Sequence, residues 1–229
     1  MIAVLDKGYV RLVAAYGSDL EIANAARASF QKESTEFTEK DAKLVKFLGA
    51  RNEGSPFRHV FASFEVKAPL FVARQWWKYV VGSDHTMDTA WNEASRRYVT
   101  MEPEFYIPDH DLWRSAPENK KQGSGDPIAY NQGAELTDDL CDVIRLGMAG
   151  YEKALAAGVA PEQARLFLPA YAMYTVWRWT ASLQSIGHFL SERLPHDAQK
   201  EIQDYAHAVH DLVLPKFPVA LAALMGDDD

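Results

Sequence analysis

Apolar and polar residues alternate along the first third of the chain in patterns that predict two strands and two helices. Residues 8–16 carry Tyr, Val and Leu in a short run that is typical of a strand. Apolar residues then recur at helical spacing over 19–30, with Asp19 as the predicted N-cap, and again from about Lys40. Alternation over 57–66 predicts a second strand that is buried on at least one face.

A helix is predicted over 70–80 and is started by Pro69, whose fixed φ angle suits the first helical turn. In this helix Arg74 and Lys78 stand four residues apart, and therefore on one face. Two neighbouring cations repel each other unless an anion lies between them. The spacing therefore favours an anion beside this helix.

Glycine, proline and serine interrupt the pattern over 81–90 and 101–127, which predicts two loops. The second loop is long enough to be either functional or mobile. A long amphipathic helix is predicted to follow over 127–157, with Gly158 near its end. Its predicted buried stripe consists of Leu140, Val143, Ile144 and Met148.

The last third of the chain predicts one more strand among several helices. The segment 171–180 is rich in Tyr, Trp, Val and Thr and favours a strand, with a helix as the alternative. Helices are predicted over 161–168, 182–193 and 197–213, followed by a shorter one. Because strands and helices do not alternate regularly, we expect one α+β domain over 1–229, with a mainly antiparallel sheet flanked by helices.

Composition and charge narrow the range of functions. The net charge of −8 and the pI near 5.4 argue against binding to nucleic acid, which needs a basic surface, but leave room for a small anion held by local arginines. No secretory signal or membrane-spanning stretch is recognisable, so we expect a cytoplasmic protein without membrane contact. Cys141 is the only cysteine, so any redox chemistry would come from a bound cofactor.

Four groups of sequence strings occur in an order that is specific when they are taken together. They are AARASF at 25–30; SPFRH at 55–59 with RQW at 74–76; NEASRRY at 92–98; and ARLFLP at 164–169 with HFLSER at 188–193. In order and approximate spacing they resemble the flavin-dependent thymidylate synthases, over roughly residues 20–210.

This resemblance implies an enzyme that methylates the uracil ring of dUMP. It implies a homotetramer that binds FAD and dUMP where several subunits meet, with methylenetetrahydrofolate as carbon donor and NADPH as reductant. The flavin would supply the electrons that convert the methylene group into a methyl group, so no protein nucleophile is needed. Cys141 has no base beside it in its predicted helix and is expected to be an inert structural thiol.

Arginine suits this substrate because its planar donors match both phosphate and the carbonyl edge of a pyrimidine. By match with the family, Ser95 and Arg97 hold the nucleotide. Arg165 and Arg193 orient the pyrimidine and polarise its carbonyl groups, which makes them the candidate catalytic residues. Ordinary surface ion pairs are the alternative for these arginines. The candidate substrate-binding residues are Gln75, Lys78, Glu93, Ser95, Arg97, Arg165 and Arg193.

Other positions match the flavin side of the family's site. The candidate cofactor-binding residues are Ser29, His59, Lys78, Tyr79, Asn92, Glu93, Ser182 and His188. A core histidine is the alternative for His59, and packing or a helix-surface position is the alternative for His188. Asp204, His207 and His210 share one helical face, but a single Asp-x-x-His is expected to be a solvated face, so no metal site is predicted.

One part of the family's pattern is missing from this chain. Lys78, Tyr79 and Val80 replace its Arg-His-Arg signature, and about seven extra residues, including His85, separate them from Asn92. Lys78 retains a cation without the bidentate fork of arginine. Three interpretations follow: methylation of dUMP with an altered flavin site; flavin- and folate-dependent methylation or hydroxymethylation of another pyrimidine nucleotide such as dCMP; and nucleotide or flavin binding without turnover.

Overall fold

Five strands form one antiparallel sheet in the computed structural model, which describes residues 1–81, 89–93, 102–117 and 123–226, with the backbone alone at 78–81 and 89. They are β1 (Ile2–Val4), β2 (Gly8–Tyr16), β3 (Phe61–Pro69), β4 (Thr89–Glu93) and β5 (Tyr174–Ser182), in the spatial order β1-β2-β3-β5-β4. Every pairing among these strands is antiparallel, which confirms the predicted sheet type and the α+β class.

Helices accompany this sheet and follow most of the periodic segments of the sequence. They are α1 (Asp19–Arg27), α2 (Glu39–Ala50), α3 (Leu70–Val81), α4 (Tyr130–Ala156), α5 (Pro161–Ala164), α6 (Leu183–Arg193), α7 (Lys200–Val213) and α8 (Pro218–Met225), with 3₁₀ turns at Ala28–Phe30, Pro56–His59 and Arg165–Phe167. The helices predicted over 70–80, 127–157, 182–193 and 197–213 are confirmed. Of the helices in the described ranges, none has the length and apolarity needed to cross a bilayer.

The core lies on the sheet face to which alternate residues of β3, such as Phe64 and Val66, are fully buried. Trp76 of α3 stacks on Phe189 of α6, with ring centroids 4.4 Å apart. The same ring meets Trp177 of β5 edge-on at 5.5 Å. These aromatic contacts fix α3 and α6 against the sheet.

Helix α7 approaches the sheet closely at Gly8 of β2. A Cβ atom at this position would lie 1.9 Å from the hydroxyl oxygen of Tyr205. That hydroxyl group donates a hydrogen bond to the carbonyl oxygen of Lys67 at 2.7 Å, and Ile202 of the same helix is fully buried. The close approach of α7 therefore depends on glycine at position 8.

The predicted N-cap of α1 is wrong by one residue. The hydroxyl oxygen of Ser18 accepts a hydrogen bond from the backbone nitrogen of Leu20 at 3.2 Å, so Ser18 is the cap. The buried carboxylate of Asp19 instead accepts from the backbone nitrogens of Val219 at 2.9 Å and Ala220 at 3.1 Å, in the first turn of α8. Asp19 at the start of α1 therefore caps the N-terminus of α8 and links these two helices.

Two predicted strands have shifted bounds. The strand predicted over 57–66 begins only at Phe61, because Pro56 starts a 3₁₀ turn, and it continues to Pro69. The strand predicted over 171–180 is the nine-residue β5, so its helical alternative is wrong. The short β1 was not predicted, and neither was β4, whose first residues fall in the predicted loop 81–90.

The predicted buried stripe of α4 is partly wrong. Val143 is 54% exposed, while Leu140, Ile144 and Met148 are only half-buried. The buried Thr137 marks where α4 is held, because its hydroxyl oxygen accepts a hydrogen bond from Nε1 of Trp113 at 2.8 Å. Helix α4 thus packs against the segment before it and against α5 and the 3₁₀ turn Arg165–Phe167 after it, and much of its apolar face stays exposed.

Candidate functional site

A cavity of about 640 Å³ opens beside the C-terminal end of α6, which is the residue Arg193. Gln75 of α3 lines the same cavity, so two of the predicted substrate residues meet although they lie far apart in the sequence. Its volume falls within the range of small-molecule sites, which is roughly 300–1,000 Å³. This cavity, named the Arg193 cavity, is the first candidate site.

Side chains that the sequence did not single out complete the wall of the Arg193 cavity. Tyr106, Trp113 and Arg114 come from the long predicted loop, and Gln199 and Glu201 come from the start of α7. The length of the loop was the one signal of function, since long loops in folded domains are commonly functional. Nothing in the helical periodicity of α7 marked the two residues at its start.

The Arg193 cavity combines cations with neutral hydrogen-bonding groups. Arg114 and Arg193 are the two arginines among the residues that line it. Burial, and then the nearby carboxylates of Glu201 and Asp6, raise the pKa of Tyr106, so its hydroxyl group is neutral at physiological pH. This combination suits a polar ring that carries an anionic group.

Three side chains in the wall of the Arg193 cavity form a chain of hydrogen bonds. The amide nitrogen of Gln75 donates to the amide oxygen of Gln199. The amide nitrogen of Gln199 in turn donates to Oε2 of Glu201 at 2.8 Å. Helix α3 is thereby linked to the start of α7 across one wall of the cavity.

A second cavity, of about 420 Å³, lies between the end of α1 and the 3₁₀ turn Pro56–His59. Ser29 and His59, two of the predicted cofactor residues, line this Ser29 cavity together with Ser55. His59 is exposed, so its alternative as a core histidine is wrong. The cavity has room beside α1 because the residues there have short side chains: Ala25, Ala26 and Ala28.

Two further predicted cofactor residues lie at α6 and line neither cavity. Ser182 is fully buried, and its hydroxyl oxygen accepts a hydrogen bond from the backbone nitrogen of Ser185 at 3.2 Å. This bond makes Ser182 the N-cap of α6. His188 is exposed on the same helix.

Three further candidate residues line neither cavity in the described part of the chain: Asn92, Glu93 and Arg165. Asn92 and Glu93 are exposed on β4, where Oε1 of Glu93 accepts a hydrogen bond from the hydroxyl group of Thr175 at 2.6 Å. Arg165 is exposed, and its Nε donates to the carbonyl oxygen of Glu162 at 3.3 Å. A single chain therefore does not gather all the candidate residues.

Some predicted features fall outside the described part of the chain: Ser95, Arg97 and His85, together with the side chains of Lys78 and Tyr79. Cys141 is exposed on α4 rather than buried, and it lines neither cavity. Asp204, from the helical face with two histidines, forms an ion pair with Lys200. Across the described ranges, no group of three His, Cys, Asp or Glu side chains is arranged to hold a metal ion.

Known proteins share the sequence pattern of this chain over most of its length. The family model of the thymidylate synthase complementing protein matches residues 11–219. The flavin-dependent thymidylate synthase of Thermosipho africanus is 37% identical over 222 residues, which cover 97% of this chain and 92% of the relative. That of Thermus thermophilus is 38% identical over 226 residues, covering 97% of this chain and 77% of the relative.

Solved structures with the same fold include the UMP/dUMP methylase PolB of Streptomyces cacaoi. Its complex with 5-Br dUMP has a TM-score of 0.82 at 27% identity, covering 98% of this chain and 97% of PolB. Its complex with 5-Br UMP has a TM-score of 0.81 at 25% identity, covering 98% and 96%. The similarity of fold thus extends over nearly the full length of both chains.

Proposed function

The chain belongs to the flavin-dependent thymidylate synthase family, and we propose that it methylates the uracil ring of dUMP with methylenetetrahydrofolate as carbon donor, FAD as hydride carrier and NADPH as reductant. One observation carries the proposal. Gln75 and Arg193, which were selected from separate sequence strings, line one cavity of about 640 Å³. A cavity of this size accommodates a nucleotide.

Arg193 is the residue that we assign to the pyrimidine. Its guanidinium group donates hydrogen bonds only, which suits the carbonyl oxygens of uracil. Negative charge develops on such an oxygen when the ring is attacked, and a fixed cation stabilises that charge. Tyr106 and Trp113 in the same cavity offer apolar surface to the ring.

The Ser29 cavity is the part of the chain that we assign to the flavin. Alanine side chains and Pro56 give it an apolar wall, while Ser29, Ser55 and His59 supply polar groups. This donor set fits a flat ring system with polar edges, and the volume of about 420 Å³ suits part of a dinucleotide rather than all of it. When bound, the flavin supplies the hydride that converts methylene to methyl.

A homotetramer would bring the remaining residues to the site. Arg165 lines neither cavity of its own chain, and its neighbours Leu166 and Phe167 are 82% and 58% exposed. Exposed aromatic and aliphatic side chains beside an arginine are typical of protein interfaces. We therefore assign Arg165 to the nucleotide site of a neighbouring subunit.

The structural relatives support a second candidate substrate, UMP. PolB is described as a UMP/dUMP methylase and was solved with 5-Br UMP and with 5-Br dUMP. UMP and dUMP have the same uracil ring and phosphate and differ only at the 2′-hydroxyl group. The cavity residues assigned to the ring and to an anion would therefore serve both.

Product analysis tests this function. The purified protein is incubated with FAD, methylenetetrahydrofolate and NADPH, and separately with dUMP, UMP and dCMP, and the products are weighed by mass spectrometry. We expect one added methyl group on dUMP, with UMP as the second substrate. Methylation of dCMP alone, or a mass gain that matches hydroxymethyl, would overturn the assignment, and absence of any product would favour binding without turnover.

A further inference from the structure

The hydrogen-bond chain from Gln75 through Gln199 to Glu201 has a direction that chemistry dictates. An ionised carboxylate accepts hydrogen bonds and donates none, so the amide group of Gln199 must turn its nitrogen toward Glu201. The amide oxygen of Gln199 then faces Gln75, so Gln75 must donate a hydrogen bond from its own amide nitrogen. The carboxylate at the far end thus determines the orientation of the amide at Gln75.

Within helix α7, the neighbouring lysine does not pair with the carboxylate of Glu201. The neighbouring Lys200 is engaged by Asp204 through an i,i+4 ion pair. Glu201 itself lines the Arg193 cavity beside Gln199. The chain of hydrogen bonds therefore runs along the wall of the cavity rather than into solvent.

The hydrogen bond to Gln199 uses one N–H of Gln75. The other N–H and the amide oxygen of Gln75 remain available to a ligand. An amide that donates its anti N–H to Gln199 keeps its syn N–H and its oxygen side by side, as a donor and an acceptor. Uracil offers the complementary edge, since a carbonyl oxygen accepts and the adjacent N3–H donates. The two hydrogen bonds would form together and would hold the ring in one plane.

We propose that Gln199 and Glu201 are positioning residues that lock the amide of Gln75 in the orientation that recognises uracil and rejects cytosine. This inference rests on the proposed function, because it takes the Arg193 cavity as the pyrimidine site. Cytosine carries an acceptor at N3 and a donor at its amino group, so it requires the amide of Gln75 to be flipped. A flipped amide would turn its oxygen toward the oxygen of Gln199, and two acceptors would face each other.

The substitution Glu201→Gln tests the lock because it keeps the shape of the side chain and adds a donor. The amide of Gln199 is then free to adopt either orientation, and so is that of Gln75. We expect the wild-type protein to bind dUMP about tenfold to a hundredfold more tightly than dCMP, and the variant to lose most of this preference. Calorimetric titration of the FAD-loaded protein with each nucleotide gives both affinities.

The exchange of the two side chains provides the rescue. In Gln199→Glu/Glu201→Gln, the new carboxylate at position 199 accepts from Gln75 on one side and from the new amide at position 201 on the other. The orientation of Gln75 is restored, so the preference for dUMP should return. Glu152→Gln on the exposed part of α4 is the matched acid-to-amide control, and its preference should equal that of the wild type.

The outcomes separate the inference from the function on which it rests. Loss of preference in Glu201→Gln with recovery in the exchanged variant supports the lock. An unchanged preference in Glu201→Gln overturns it, and so does a preference that stays low in the exchanged variant while the FAD content is normal. If the wild-type protein binds neither nucleotide, the proposed function fails first.

Discussion

Helices α7 and α4 are both amphipathic, yet α7 is largely packed into the core whereas α4 is largely exposed. Helix α7 buries six of its 14 residues against the sheet, whereas α4 buries three of its 27. Leu146 on α4 is 74% exposed, although it is as apolar as the residues that α7 buries. Periodicity therefore shows that a helix has an apolar face, but only the tertiary partner decides whether the same chain covers that face.

The two candidate catalytic arginines differ in the same way. Arg193 ends a helix that packs on the sheet, and it lines a cavity of its own chain. Arg165 stands in an exposed turn that contacts α4, with Phe167 against Gly150. Arg193 thus lies at a cavity of its own chain, whereas the exposed turn of Arg165 and helix α4, here called the α4 side, present the features that we assign to contacts between subunits.

Removal of the buried ring of Trp76, which packs between α3, α6 and the sheet, should have the largest effect. Trp76→Ala leaves a cavity among Phe189, Trp177 and their neighbours and should cost about 3–5 kcal/mol in the free energy of unfolding. Urea unfolding at a fixed protein concentration measures this loss. The comparison variant Leu146→Ala changes an exposed residue of α4 and should lower the free energy of unfolding by less than about 0.5 kcal/mol. A loss as large as that of Trp76→Ala would show that Leu146 is buried in the assembly.

Mixing two impaired variants tests whether the two arginines act in the same subunit. Arg193→Ala and Arg165→Ala should each lower turnover about tenfold to a hundredfold, because a charge-assisted hydrogen bond contributes roughly 1.5–3 kcal/mol. If Arg165 acts in a neighbouring subunit, a mixed tetramer contains some sites that carry both arginines. Co-refolded variants should therefore recover a fraction of the wild-type rate.

The controls for the mixing experiment come from the same chain. Arg145→Ala removes an arginine that is exposed on α4 and pairs with Asp142, and it should leave turnover unchanged. Each impaired variant co-refolded with itself should keep its own low turnover. Absence of recovery in the mixture, with tetramers present, would mean that Arg165 acts in its own chain or not at all.

Much of the fold followed from the sequence because local signals agreed with tertiary contacts. Helix α3 was predicted from its spacing after Pro69, and the sheet supplied the partner that its apolar face needs. The prediction failed where the partner was remote. Ser18 rather than Asp19 caps α1, because Asp19 is drawn to the N-terminus of α8, nearly the whole chain length away.

The candidate site was predictable only as far as its residues lie in recognisable strings. Gln75 and Arg193 belong to such strings, and they line one cavity. Gln199 and Glu201 do not, because their contribution lies in the direction of a hydrogen-bond chain between two helices. Spacing along one helix carries no information about such a contact.

The acid stability of the contact between α1 and α2 should depend on Asp41. Hydrogen bonds from Thr38, and then the side chain of Arg27, lower the pKa of this carboxyl group below its ordinary value although burial opposes the shift. A lowered folded-state pKa stabilises the fold above the unfolded-state value of about 3.9, and this stabilisation is lost as pH falls toward the folded-state pKa. Unfolding free energies between pH 7 and pH 2 should therefore decline less steeply in Asp41→Asn. This variant should also be less stable at pH 7, because Asp41 accepts from the backbone nitrogen of Thr38 in the capping box of α2. The exposed Asp139→Asn is the control and should keep the wild-type decline.

Cys141 should give the smallest effect. It is exposed on α4 and lines neither the Arg193 cavity nor the Ser29 cavity, so Cys141→Ala should change the free energy of unfolding by less than about 0.5 kcal/mol and leave turnover within about twofold. A thiol reagent should label the wild-type protein at this residue while activity persists, because a thiol outside the cavities does not meet the pyrimidine. Loss of turnover in Cys141→Ala, with FAD content and fold intact, would instead point to a protein nucleophile. The methyl group would then not arise by the flavin route that needs none, and the α4 side of the molecule would contribute to chemistry rather than to assembly alone.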